Sequence, residues 1–287
     1  MARIQNYLSL VKFSHTIFAL PFALIGFFLG TTEVSESWSW VLLIKVVLCM
    51  VFARTSAMAF NRYADRDIDQ KNDRTMQREI PGGIISPNKV LSLVIISSLL
   101  FIAVTFTINT LCFYLSPVAL AVILGYSYTK RFTWLCHVIL GIGLSLAPIG
   151  AYLAVTGSFD WTPLLFSCIV ITWVSGFDVI YSLQDEAFDR DEQLYSMPSA
   201  FGKKGALRIS NLLHMLSGIL IISAGVIAHF HFIYWVGAVV FIGLLFYQHL
   251  LVKPDDLSKV NLAFFTTNGI ASLVFAIFVI TDLLYFR

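Results

Sequence analysis

Nine apolar runs dominate this chain, each long enough to cross a lipid bilayer. A hydrocarbon core about 30 Å thick needs roughly 20 apolar residues per helix. The runs cover about 14–32, 38–60, 88–108, 110–127, 134–156, 161–181, 207–229, 232–252 and 260–283. Backbone N–H and C=O groups in lipid must find partners within the protein, so each run is predicted to be a helix. The composition agrees, with 58% hydrophobic and 13% charged residues, where a soluble domain carries roughly 25% charged. The expected fold is all-α, a polytopic membrane bundle of nine transmembrane helices. Only a short turn around Asn109 separates the third and fourth runs. Arg3 and Lys12 precede the first, as in a signal peptide, but no small-x-small cleavage site follows, so it is read as a retained span. No Pro/Gly/Ser linker long enough to divide the chain is present, and residues 1–287 are expected to form a single domain.

Charge asymmetry predicts orientation. Counted from the amino terminus, alternate loops hold Arg3 and Lys12, then Arg62 to Lys89, Lys130 and Arg131, Arg190 to Arg208, and Lys253 with Lys259. Of the 19 lysines and arginines, all but Lys45, Arg54 and Arg287 lie in these loops. The opposite loops carry Glu33, Glu36 and Asp160. By the positive-inside rule the amino terminus faces the cytoplasm and the carboxyl terminus lies outside. Trp38, Trp40, Trp161 and Trp235 fall near the expected outer ends, where interfacial tryptophans belong.

The polar residues are not scattered. Asn61, Asp65 and Asp69 recur every four residues where the second run ends, and Asp178, Tyr181, Asp185 and Asp189 follow steps of three, four and four where the sixth ends. On a helix such residues share a face, each step of four advancing about 6 Å. That is too far for two carboxylates to share a proton, but suits gripping a hard divalent cation from one side. Mg²⁺ keeps several waters and usually needs substrate phosphates to complete its octahedron, and each set is followed by basic residues able to neutralise phosphate. Two acidic faces around one diphosphate would suit loss of a diphosphate leaving group, with the apolar bundle holding a hydrocarbon tail. The bland alternative is a pair of solvated helix ends, where Asp/Arg pairs are common and worth little. Two such sets at the cytoplasmic ends of spans argue against it, because charges at membrane depth are costly. The shared pattern of span, Asp-spaced helix and polar loop hints at two related halves.

These residues resemble the UbiA superfamily of intramembrane prenyltransferases. Asn61-x-x-x-Asp65-x-x-x-Asp69 is similar to its first Asp-rich motif and Asp178-x-x-Tyr181-x-x-x-Asp185-x-x-x-Asp189 to its second. Tyr126-Ser-Tyr-Thr-Lys130-Arg131 resembles the stretch after the fourth helix, and Arg74-Thr75 with Arg78 the basic segment after the first motif. The resemblance covers nearly the whole chain and leans to the 4-hydroxybenzoate polyprenyltransferase branch. It implies a helical bundle with a cytoplasmic-facing cavity, where Mg²⁺ bridges the Asp motifs to a polyprenyl diphosphate and an aromatic acceptor is alkylated. Carried over, Asp65, Asp69, Asp185 and Asp189 hold metal, with Asn61 assisting. Asn61, Arg74, Arg78 and Lys130 contact the diphosphate, and Tyr181 sits near the allylic carbon, its ring face stabilising developing positive charge. Asp178 is a metal or acceptor partner, or a helix-end residue. One departure stands out: many members have Asp after the first Asn, and here it is Arg62.

Other residues are weighed more narrowly. His15 beside Lys12 either touches an acceptor carboxylate or is an interfacial helix-end histidine. Arg54, seven residues before Asn61 on the same face, is expected to face a polar cavity rather than lipid and is a candidate for reaching substrate. His137, His214 and His249 share no spacing and are read as core or interface groups. Asn268 is read as a helix–helix hydrogen bond. The four cysteines lack a C-x-x-C pair and are read as small buried side chains.

The expected function is Mg²⁺-dependent transfer of a polyprenyl group to a ring carbon of an aromatic acid such as 4-hydroxybenzoate, in ubiquinone or menaquinone biosynthesis. A naphthoate acceptor remains an alternative. A transporter would place ionisable residues and broken helices near the bilayer midplane, whereas these acids cluster at span ends. A phosphatidyl-type alcohol transferase would show D-G-x-x-A-R, which neither Asp65 nor Asp185 sits in. The expected setting is a bacterial inner membrane with the site facing the cytoplasm. The expected partners are polyprenyl diphosphate, an aromatic acid and the lipid bilayer, and not nucleic acid.

Overall fold

The computed structural model describes residues 4–12, 18–34 and 39–286. Among them the chain is almost wholly helical: α1 Ile4–Leu10, α2 Leu20–Glu33, α3 Trp40–Ala64, α4 Arg66–Asp69, α5 Pro87–Phe106, α6 Thr110–Gly125, α7 Cys136–Thr156, α8 Trp161–Ser182, α9 Glu186–Asp191, α10 Met197–Ile227, α11 Phe232–Leu251 and α12 Asn268–Phe286. Two 3₁₀ segments, Tyr126–Arg131 and Leu183–Asp185, and a π-helical turn, Leu262–Thr267, extend α6, α8 and α12. Among the described residues eight helices are long and apolar enough to cross a membrane, and α2 is a shorter apolar helix. Part of the expected first span, with His15, lies outside the described residues, as does Trp38.

The boundaries follow local chemistry. Asn109 ends the α5–α6 turn by capping α6, its Oδ1 accepting from Cys112 N at 2.8 Å, which is why so short a connection suffices. The seventh span is longer than hydropathy suggests, because α10 starts at Met197 rather than near 207. Ser196 and Ser199 form a reciprocal capping box and Pro198 occupies the first turn, a strong start signal that carries no hydrophobicity. Gly202 interrupts this helix at φ 67°, a backbone region where a Cβ is disfavoured.

Packing is closest between α7 and α8, α8 and α10, α3 and α5, α2 and α7, and α11 and α12. The main core centres on Trp173, with Phe22 of α2, Phe241 of α11 and Phe275 of α12 around it. Outward-facing Leu99, Val118, Val239 and Leu284 remain exposed, the inverse of a soluble surface and suited to lipid. Trp40 and Trp161, at the starts of α3 and α8, are exposed too.

Candidate active site

Neither Asp motif lies on one straight helix, as the four-residue spacing suggests. Helix α3 ends at Ala64 and Asp65 turns the chain into α4 with φ −94°, ψ 4°. Asp185 does the same between α8 and α9 with φ −100°, ψ 3°. This sparsely populated bridge conformation occurs at the same point of both motifs, giving the internal echo a backbone counterpart. The i,i+4 hydrogen bonds run on through the first bend, with Asp65 N on Asn61 O at 2.9 Å and Asp69 N on Asp65 O at 2.7 Å, so the motif residues still share a side.

The two motifs face each other across a cavity of about 210 Å³. Its walls include Asn61, Asp65, Asp69, Arg74, Arg78, Lys130, Asp178, Tyr181, Asp185 and Asp189. Three of the carboxylates are held by arginines. Arg131 Nη2 donates to Asp65 Oδ1 at 3.0 Å and also to Ala64 O at 2.8 Å. Arg78 Nη1 straddles Asp69, at 2.7 Å from Oδ1 and 2.9 Å from Oδ2. Arg74 forks onto Asp185, with Nε 2.9 Å from Oδ1 and Nη2 on Oδ2, while its Nη1 donates to Tyr181 Oη at 3.0 Å. The Arg74 guanidinium also lies over the Tyr181 ring, 5.3 Å from its centroid. Asn61 Nδ2 donates to Asp65 Oδ2 at 3.0 Å, and Asn72 Nδ2 to Asp185 Oδ1 at 3.2 Å.

Burial pushes the Asp65 carboxyl above the usual carboxylate range, against the pull of Lys130 and Arg131. For Arg74 burial works against the charge, but the hydrogen bonds to Asp185 and Tyr181 win and its pKa stands above the ordinary value. Asp178 points to His137, Nδ1 to Oδ2 2.7 Å. Met197 N donates to His137 Nε2 at 3.3 Å. With Nε2 accepting, the Nδ1 proton faces Asp178, and this fixes both side chains.

Spacing did not reveal several of these groups. Lys130 is on the cavity wall, but its neighbour Arg131 grips Asp65, because the Tyr126–Arg131 segment is 3₁₀ and brings residue 131 round to that carboxylate. Asn72 and His137 also line the cavity. The doubled basic pair was the one available signal for Arg131; His137 had none, its partner being 41 residues away. Arg62, which follows Asn61 in the first motif, is buried and lies on the cavity wall.

Arg54 departs from the expected polar surroundings. It lines a second, apolar cavity of about 370 Å³ between α3, α5, α6 and α7, and its Nε has no hydrogen-bond partner among the described residues. Tyr126 and Leu140 line both cavities, so a polar chamber and an apolar one adjoin there. His214 and His249 pair with each other at 2.8 Å, far from metal-ligating company. The four cysteines are free.

Among the described residues no three His, Cys, Asp or Glu side chains converge as a closed metal cage. Instead, oxygen donors on two walls face open space. That donor set fits a hard cation which completes its shell with water and substrate oxygens.

The UbiA prenyltransferase family model matches residues 19–270. A 4-hydroxybenzoate octaprenyltransferase from Aliivibrio fischeri (strain ATCC 700601 / ES114) is 29% identical over 236 residues, 82% of this chain and 82% of its own. The apo structure of a UbiA homolog from Aeropyrum pernix K1 superposes with TM-score 0.85 at 30% identity, over 98% of this chain and 99% of that one. A UbiA homolog from Archaeoglobus fulgidus bound to DMAPP and Mg²⁺ shares the fold, with TM-score 0.75 at 20% identity over 98% and 99%. With the family model matched over most of its length, the chain belongs to the UbiA prenyltransferase family.

Proposed function

We propose that this protein transfers a polyprenyl group from a polyprenyl diphosphate to a ring carbon of an aromatic acid of the 4-hydroxybenzoate class, in quinone biosynthesis. One observation carries this: the two Asp motifs, with Arg74, Arg78 and Lys130, face one chamber that adjoins an apolar cavity at Tyr126 and Leu140. A molecule with an anionic head and a long hydrocarbon tail needs both spaces. The name of the Aliivibrio relative supports an aromatic acid acceptor.

Asp65 and Asp69 on one wall, with Asn61, and Asp185 and Asp189 on the other would hold Mg²⁺. When bound, Mg²⁺ supplies charge neutralisation for the departing diphosphate. Arg74, Arg78 and Arg131 present forks that suit phosphate oxygens as well as carboxylates, so diphosphate binding would exchange their carboxylate partners for phosphate oxygens. Lys130 adds a fourth cation. Ionisation breaks the allylic C–O bond, both electrons leaving with the diphosphate. The Tyr181 ring offers its face to the developing cation. The acceptor ring carbon ortho to the hydroxyl forms the new C–C bond and then gives up its proton to water or the released diphosphate. Asp178, held by His137, stands on the chamber wall to orient the acceptor. Arg54, whose buried Nε has no partner among the described residues, is a seat for the acceptor carboxylate. We further infer that residues 1–287 act as one domain in a bacterial inner membrane, with the chamber open to the cytoplasm, a reading supported by the loop charges.

The test is Mg²⁺-dependent diphosphate release in membranes, with 4-hydroxybenzoate, a dihydroxynaphthoate or no acceptor. Release and prenylated product that depend on 4-hydroxybenzoate support this function. Dependence on the naphthoate alone would reassign the acceptor, and polyprenyl diphosphate binding indifferent to Mg²⁺ would sink the mechanism. Arg54→Met is expected to raise the acceptor KM about tenfold or more, since a hydrogen bond to a charged group is worth about 1.5–3 kcal/mol, while the diphosphate KM stays unchanged.

Protons and Mg²⁺ compete for the same carboxylate oxygens. Because burial raises the Asp65 pKa, its proton is retained to higher pH than on an ordinary carboxylate of about 4. The Mg²⁺ concentration for half-maximal release should therefore climb as pH falls, beginning above that ordinary range. Mg²⁺ titrations at a series of pH values check this, and a flat profile would contradict it.

A further inference from the structure

Asn268 does more than join two helices. The π-helical turn Leu262–Thr267 precedes it, and such widened turns displace carbonyls from their usual α-helical partners. Asn268 is fully buried, and its Nδ2 donates to two of these carbonyls, Ala263 O at 2.8 Å and Phe264 O at 3.1 Å. Its Oδ1 accepts from Trp173 Nε1 on α8 at 2.8 Å, and Nδ2 also reaches Gln248 Oε1 on α11 at 3.2 Å. One side chain thus satisfies the π-turn and ties it to α8, in a setting where an unmet backbone group is costly.

The turn presents Phe264 to the active-site end of α8. Trp173, Phe177 and Tyr181 recur every four residues along that helix. Phe177 meets Phe264 edge-on at 5.4 Å, and Tyr181 stacks on it with centroids 4.1 Å apart and planes at 29°. Tyr181 therefore has two ring partners, Phe264 stacked on it and the Arg74 guanidinium 5.3 Å from its centroid. A diphosphate that draws Arg74 to its oxygens would leave Phe264 as the ring's remaining stacking partner.

We propose that Phe264 and Asn268 are positioning residues for Tyr181: Asn268 stabilises the π-turn, the turn sets Phe264, and Phe264 holds the Tyr181 ring where the allylic cation forms. This rests on the role given to Tyr181 in the proposed function. Ring–cation attraction needs the face aligned within a short distance, and misplacements of about 1 Å can cost up to about 100-fold in rate. Neither residue itself lines the diphosphate chamber, so substrate binding should be spared.

The experiment measures kcat and polyprenyl diphosphate KM, with saturating Mg²⁺ and acceptor, alongside melting temperature in detergent. The proteins are wild type, Phe264→Leu, Phe264→Tyr and Asn268→Leu, with Asp65→Ala as reference. Phe264→Leu and Asn268→Leu should lower kcat about tenfold with KM changed less than about twofold, while Phe264→Tyr, which keeps a ring to stack, retains most of kcat. If Asn268→Leu fails to fold, the two Phe264 variants decide the matter. Folded Phe264→Leu with wild-type kcat would overturn the proposal alone. So would an equal kcat loss in Phe264→Leu and Phe264→Tyr that tracks melting temperature, which would mark a purely structural role. Wild-type activity indifferent to Asp65→Ala would overturn the functional reading itself, and this proposal with it.

Discussion

Asp65→Ala and Asp185→Ala are each expected to lower Mg²⁺-dependent diphosphate release by about 100- to 1,000-fold. The reasoning starts from charge. A bound divalent ion contributes several kcal/mol of stabilisation to a departing diphosphate, and about 3–4 kcal/mol corresponds to about 10²–10³ in rate. Each substitution removes a carboxylate from a different wall of the chamber, so either one should be enough. The fold should survive both. Arg131 keeps its bonds to Ala64 O and Ser127 O without Asp65, and Arg74 keeps Tyr181 without Asp185. Asp67 provides the contrast: it lies between the two motif acids in sequence, but its side chain is 79% exposed and only loosely paired with Arg66 at 3.6 Å. Asp67→Ala should leave release within about twofold of wild type, since such surface pairs are worth about 1 kcal/mol at most. Rates for the three variants, with melting temperatures as a control for folding, check the prediction. Equal activity in Asp65→Ala and Asp67→Ala would refute it.

Gly26→Ala is expected to be the most damaging small substitution in the bundle. A Cβ at Gly26 would stand 1.9 Å from Pro148 O and 2.7 Å from Pro148 C. Those are backbone atoms of α7, so no side chain can swing aside and α2 must back away from its most extensive partner. Overpacking typically costs about 1–3 kcal/mol, and a collision with backbone belongs at or beyond the upper end. Gly150→Ala on α7 is the counterpart, because a Cβ there meets nothing within 4 Å. Replacing that helical glycine should stabilise by roughly 0.5–1 kcal/mol. Melting in detergent should separate the two in opposite directions, and a Gly26→Ala protein as stable as wild type would contradict the helix contact described here.

The helix inventory was legible because a bilayer leaves few choices: a run of apolar residues must satisfy its own backbone, and helix is the local solution. Hydropathy fails where a helix leaves the apolar layer. The first turns of α10 contain Ser199, Lys203 and Lys204, which hydropathy places in a loop, although the Ser196 cap marks their start. Much of the candidate chamber was legible for a related reason. Asn61, Asp65 and Asp69 are neighbours along one stretch of backbone, so their spacing already states that they share a side.

The rest of the chamber is made of distant contacts. Arg131 meets Asp65 across 66 residues, Arg74 meets Asp185 across 111, and Phe264 reaches Tyr181 from the far end of the chain. No local periodicity encodes such pairs, because they depend on how helices are placed rather than on how they repeat. The amino-acid sequence by itself determined that this chain is a membrane-spanning helical bundle with two acid-rich span ends, since hydrophobicity and i,i+4 spacing act within a few turns of backbone. Which arginine holds which aspartate, that Arg54 lies against an apolar cavity, and that Asn268 braces a widened turn behind Tyr181 were decided only when the helices packed, because those contacts exist between elements and not within them.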